Sequence, residues 1–235
     1  MQIKNQIPNT ITALNIVFGT MAVMASFGAL DGLFALQGHR LAALLIALAA
    51  VADFLDGFAA RLLGAVSPIG KELDSLCDLV SFGVAPAMIV FNLMRAHDLA
   101  DSWLPLLTLL IVVAGALRLA RFNVDTRQAT SFIGLPIPAN AIFWIGFAWY
   151  YAGHAVPVWL VAVLIVALSW LMVSPLPMFS LKLHSLAPRE AWRQYLLVIT
   201  AVVLFAVMGV ASLAVTIAVY VLLSAVLWIV SPAKN

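Results

Sequence analysis

Four aspartates interrupt an otherwise apolar part of the chain: Asp53, Asp56, Asp74 and Asp78, in the stretch VADFLDGFAARLLGAVSPIGKELDSLCDLV. On helices, i and i+3 spacing puts Asp53 and Asp56 on one face, and i and i+4 spacing does the same for Asp74 and Asp78. A short turn between two antiparallel helices brings those faces together, so the four carboxylates converge on one small volume. Carboxylates that close repel one another, and each is driven toward protonation unless cations compensate. An all-oxygen donor set suits hard ions, Mg²⁺, Mn²⁺ or Ca²⁺, and argues against zinc, which favours His or Cys. Two chemistries use such an array: metal-assisted group transfer and a proton or sodium path through a transporter. Packing alone is a poor reason to keep these acids, since each costs at least about 2.5–3.5 kcal/mol at membrane depth.

The neighbours of the acids narrow the choice. Gly57 and Ala60 follow the first pair on the same face, and Gly70 precedes the second pair. A residue without a side chain, as at Gly57, lets a bulky ligand approach the helix backbone. Ala60 and Gly70 serve that purpose or close helix packing. Arg61 binds a phosphate or snorkels to the interface. A transporter gives no reason for Gly57 and Arg61 at these offsets.

The elements that hold the acids have to cross a membrane. The 235 residues are 65% hydrophobic and 9% charged, with a mean hydropathy of +1.11. Soluble domains carry about 25% charged residues, so too little polar surface exists here to face water. Apolar runs near 9–30, 41–63, 72–95, 103–122, 136–152, 156–173, 195–210 and 212–230 predict about eight transmembrane helices in a single domain over 1–235. The last two are separated only by residues 209–212, so one long bent helix competes there. With both termini cytoplasmic, Lys4, Arg61, Lys71, Arg118, Arg121, Arg127, Lys182, Arg189, Arg193 and Lys234 lie on one side, and only Arg40 and Arg95 on the other. That asymmetry is the positive-inside pattern, and it puts the aspartates toward the cytoplasm. Trp103, Trp149, Tyr150, Tyr151 and Trp159 fall at the opposite interface as an aromatic belt. A net charge of +2 leaves no nucleic-acid footprint, and one cysteine, Cys77, allows no internal disulfide. The histidines are far apart and show no ligand spacing.

Written as a pattern, the acidic stretch is D-x2-D-G-x2-A-R-x8-G-x3-D-x3-D, from Asp53 to Asp78. It resembles the signature of the CDP-alcohol phosphatidyltransferases at all eight fixed positions. The resemblance implies an all-α polytopic protein with a six-helix core, a polar cavity open to the cytoplasm and usually a homodimer. It implies that Asp53, Asp56, Asp74 and Asp78 hold one or two divalent ions, Mg²⁺ or Mn²⁺, with Ca²⁺ a possible occupant, and that Asp78 is also the catalytic base. Gly57, Ala60, Arg61 and Ser67 would contact the CDP-lipid, with Asn9 and Thr12 near the cytidine.

Further stretches resemble the phosphatidylserine synthase branch of that family: IPNTITALN at 7–15, SFGVAPA at 81–87, RLARFN at 118–123 and GLPIPANA at 134–141. The resemblance implies transfer of a phosphatidyl group from CDP-diacylglycerol to L-serine, and the compact form suits a bacterial inner membrane. Serine brings a carboxylate that needs a cation, and Arg118 and Arg121, at i and i+3 with Asn123 beyond, are the candidates. The same arginines suit lipid phosphates, or acceptors such as glycerol 3-phosphate and inositol phosphate. An ether-lipid donor is the remaining variant.

Overall fold

In a computed structural model, residues 3–65, 67–99, 101–125, 132–179 and 191–230 are described. Arg127, Lys182, Arg189 and Lys234, four of the basic residues assigned to the cytoplasmic side, lie outside them. The described chain is almost wholly helical. Helix α1 spans Ile3–Ser26, α2 Gly38–Leu62 and α3 Pro68–Asp78. A π-helical turn, Leu79–Val84, joins α3 without a break to α4, Ala85–Met94. Then follow α5 (Leu109–Val124, entered through a 3₁₀ turn at Leu104–Thr108), α6 (Ile137–Tyr151), α7 (Val158–Val173), α8 (Trp192–Met208) and α9 (Ser212–Val230). The sole strand pairing among the described residues is two residues long: β1, Phe132–Ile133, lies antiparallel to β2, Pro177–Met178.

Among the described residues, five stretches are long and apolar enough to cross a bilayer: Gln6–Ser26, Gly38–Leu62, Pro68–His97, Leu104–Val124 and Trp192–Val230. α6 and α7, at 15 and 16 residues, are shorter than the roughly 20 that a full span needs. The protein is nonetheless an integral membrane protein by every bulk measure. α8 buries only Leu197 within the molecule and presents Val202, Val203, Phe205 and Val207 outward. Such a surface is stable against lipid and not against water.

The competing one-helix reading of the C-terminus is resolved at Gly209. Its φ of +59° breaks the helical path, and α8 and α9 pack against each other as separate helices. L-residues other than glycine rarely adopt that backbone region. Of the residues assigned to the aromatic belt, Trp103 and Trp159 are well exposed. Tyr151 departs from it: its side chain is fully buried and its ring stacks on His97 at 4.5 Å.

Packing follows the small residues. α1 lies along α2 and also contacts α3 and the π turn. At Gly19 an added Cβ would collide with Ser81, so α1 and the π turn meet backbone to backbone. Ser81 Oγ donates to Asn15 O at 2.9 Å across that contact. Gly146 does the same for α6 against α9, where a Cβ would collide with the Ala214 backbone. Close backbone approach at small residues is the usual way in which membrane helices gain packing energy. Phe82, Ile89, Met94, Ile111 and Trp144 fill the centre between α4, α5 and α6.

Candidate metal and nucleotide site

The α2–α3 hairpin builds the site. α2 ends in a Schellman motif: Ala65 N–H donates to Ala60 O at 2.9 Å and Gly64 N–H to Arg61 O at 3.3 Å, with Gly64 at φ +58°. Two residues later Ser67 caps α3, its Oγ accepting from Gly70 N–H at 3.0 Å, with Pro68 at the first helical position. This tight reversal turns the acidic faces of the two helices toward each other.

Asp53, Asp56 and Asp74 each place a carboxylate oxygen within 4.8 Å of the others. Asp53 and Asp74 approach to hydrogen-bonding distance of one another. Two carboxylates that close need a proton or a cation between them. Asp56 Oδ2 and Asp74 Oδ1 are buried without any hydrogen-bond partner. Buried orphan oxygens are rare because each costs about 1–3 kcal/mol. Three convergent carboxylates with two such atoms fit a hard divalent cation. Asp78 is not in this trio. It lies one turn along, 9% exposed, with its Oδ1 accepting from Asn15 Nδ2 at 3.1 Å.

Beside the trio lies a cavity of about 230 Å³. Asn9, Thr12, Asp56, Gly57, Ala60, Arg61, Ser67 and Asp74 all line it, together with Gly70. A Cβ on Gly57 would meet only Arg61 Nη1 at 3.6 Å, so that backbone is open to the cavity. Gly70 differs: a Cβ there would press on Ser67 Oγ at 3.0 Å and Asn9 Oδ1 at 3.2 Å. Its role is close packing of α3 against α1, the second of the two uses the spacing allows. Thr12 Oγ1 donates to Pro8 O at 3.0 Å and stands beside Asp56.

Two residues of this region escape a sequence reading. Lys71 lines the same cavity and donates from Nζ to Asn123 O at 2.9 Å. Asn15 holds Asp78. The available signals are weak: a lysine one residue past Gly70, and a lone asparagine in an apolar span.

The three polar candidates of α5, Arg118, Arg121 and Asn123, divide into separate roles. Arg118 is 6% exposed, its guanidinium 5.6 Å from the Phe122 ring, within electrostatic reach of Asp78 and Tyr220. Its Nε has no hydrogen-bond partner. Arg121 is exposed and donates from Nη1 to Val173 O at 2.7 Å, where the last turn of α7 carries negative dipole charge. Asn123 Nδ2 donates to Ser75 Oγ at 3.0 Å. Arg118 and Arg121 line a second cavity of about 630 Å³ with Val124, Ile133 and the end of α7. Arg118 thus stands between that cavity and Asp78.

Comparison with known proteins agrees with this geometry. The family model for CDP-alcohol phosphatidyltransferase matches residues 5–228. A CDP-diacylglycerol–serine O-phosphatidyltransferase of Mycobacterium leprae (strain TN) is 36% identical over 197 residues, covering 79% of this chain and 62% of the relative. The protein of that name from Methanocaldococcus jannaschii is 39% identical over 142 residues, covering 60% of this chain and 59% of the relative. Its counterpart in Bacillus subtilis (strain 168) is 35% identical over 195 residues, covering 80% of this chain and 98% of the relative. The first two relatives are thus longer than the part that this chain matches. A match that runs from α1 to α9, over a hairpin that gathers three acids beside an open glycine, places the chain in the CDP-alcohol phosphatidyltransferase family.

Proposed function

We propose that the protein transfers the phosphatidyl group of CDP-diacylglycerol to the hydroxyl of L-serine, giving phosphatidylserine and CMP. The observation that carries this reading is the position of Asp78. It lies between the carboxylate trio on one side and the buried Arg118 on the other. In this reading Asp53, Asp56 and Asp74 hold a divalent cation, Mg²⁺ or Mn²⁺, and Asp78 stands beside them as the base. Bound there, the ion neutralises the diphosphate and stabilises CMP as it leaves.

The chain's own groups supply the rest. The nucleotide diphosphate lies in the 230 Å³ cavity against Gly57, Arg61 and Ser67, with Asn9 and Thr12 toward the cytidine. Serine enters by the 630 Å³ cavity, and its carboxylate pairs with the Arg118 guanidinium. The serine oxygen forms the new bond to phosphorus as the phosphorus–oxygen bond to CMP breaks. Asp78 takes the hydroxyl proton, and Asn15 keeps that carboxylate aimed. The cavities face the cytoplasm of a bacterial inner membrane, and the working unit is a homodimer.

The deciding experiment is CMP release by purified protein with CDP-diacylglycerol and Mg²⁺ or Mn²⁺, comparing serine, glycerol 3-phosphate and inositol phosphate. Release with serine alone is the expected result. Release with another acceptor retains the transferase and removes serine, while no release from folded protein reopens ion transport. Arg118→Ala should raise the KM for serine by about tenfold or more, the loss of one charge-assisted hydrogen bond pair, and leave the KM for the lipid nearly unchanged. Equal rises in both constants would remove Arg118 from serine recognition. Arg121→Ala should act in the same direction with a smaller effect, because Arg121 also bonds to α7.

A further inference from the structure

At the end of the bundle opposite the aspartates, a cation stands where a helix disfavours one. Arg40 is in the first turn of α2, whose N-terminus carries positive dipole charge. The N-cap, Gln37, makes no side-chain cap. The nearby acid, Asp31, accepts from Gly38 N–H at 3.3 Å and forms no ion pair with Arg40 among the described residues. Arg40 lies instead over the Trp149 ring, 5.4 Å from its centroid, and His39 meets the same ring edge-on at 6.0 Å. The Asp31 carboxylate meets the helix end, while the Arg40 guanidinium, held over Trp149, leaves a positive charge at one spot with no ion pair among the described residues.

That spot is the mouth of an apolar groove of about 490 Å³ between α2 and α6, floored by Ile46 and Phe82. Its lining runs from Arg40 to Ala50 along α2 and from Trp149 back to Pro138 along α6. At 1.5 Å per residue each wall is about 15 Å long. That is half of the roughly 30 Å hydrocarbon core, the depth of one leaflet. A cationic, aromatic mouth above a trough one leaflet deep has the charge and dimensions of a single lipid.

We infer that this groove is a binding site for an anionic phospholipid of the leaflet opposite the aspartates, with its phosphate on Arg40 and one acyl chain lying between α2 and α6. The site is separate from the proposed donor site, whose lining residues Asp56, Gly57 and Arg61 lie at the other end of α2. Trp149 anchors the mouth at the interface, and His39 adds a second polar contact beside it.

Native mass spectrometry of the full chain, released from detergent with equal amounts of phosphatidylglycerol and phosphatidylcholine, tests the inference. The wild-type protein should retain phosphatidylglycerol about fivefold over phosphatidylcholine, the preference one interfacial arginine gives. R40Q should abolish the preference while CMP release stays at its wild-type level, which reports an intact fold. A47F, which fills the groove from an exposed position, should reduce retention of both lipids with Arg40 still present. Equal retention by the wild type, or a preference that survives R40Q, overturns the proposal. So does loss of the bound lipid in D74N, which would assign it to the donor site. A disulfide between two copies through L44C would show that a second copy covers the groove instead.

Discussion

Asp78→Asn should lower CMP release by about 10²–10⁴-fold, the range for removing a general base, with the protein still folded and still binding metal. The asparagine amide has nearly the same shape and can keep its contact with Asn15, so the substitution removes the proton acceptor and little else. Asp78 stands outside the cluster of three acids within 4.8 Å of one another, which is why metal affinity and turnover should separate in this variant. The check is to measure Mn²⁺ binding by calorimetry beside the rate of CMP release. Turnover within threefold of wild type would remove Asp78 as the base. Parallel loss of metal and turnover would make it a ligand before anything else.

Asp74→Asn should behave differently. Asp74 contacts Asp53 and carries a buried oxygen without a partner, so it contributes to the cation site from the α3 side. Its loss should weaken Mn²⁺ binding and reduce CMP release together by about 100-fold or more, a size typical of losing one transition-state electrostatic group. The same change relieves repulsion between carboxylates, so thermal stability without metal should rise or hold. A large fall in stability without metal would mean that Asp74 is a structural acid. Metal binding at wild-type strength would sink its role as a ligand.

The acids were legible because they violate their surroundings: a carboxylate in an apolar run is a signal against a silent background, and its spacing gives the face directly. The reversal between α2 and α3 was legible only as a short turn, and it is the structure that assigns its turn and caps to Gly64, Ser67 and Pro68. The break at Gly209 was visible as a position, though not as the choice between a bend and a reversal. What could not be read was rotation of one helix against another. Tyr151 sits at the right depth for an interfacial belt yet turns inward onto His97, because packing of α6 on its neighbours sets its azimuth. Asn123 follows the arginines in sequence, but its amide is engaged by Ser75 of α3. Asn15 and Lys71 are single polar residues, and a single residue has no period to detect. Arg118 and Arg121 share a helix face and still differ, one buried without a full set of partners and the other bonded to the end of α7.

The π turn at Leu79–Val84 sits directly after Asp78, within an unbroken helical rod. A wider turn takes up one additional residue, and one residue is about 100° of rotation in an α-helix. The half of the rod that carries Asp74 and Asp78 is therefore out of phase with the half that packs into the centre through Ile89 and Met94. The two halves can change independently: substitutions that reshape the packing beyond residue 84 need not alter where the carboxylates point. The turn works as a phase shifter between a face devoted to chemistry and one devoted to cohesion, and it lets a single helix serve both.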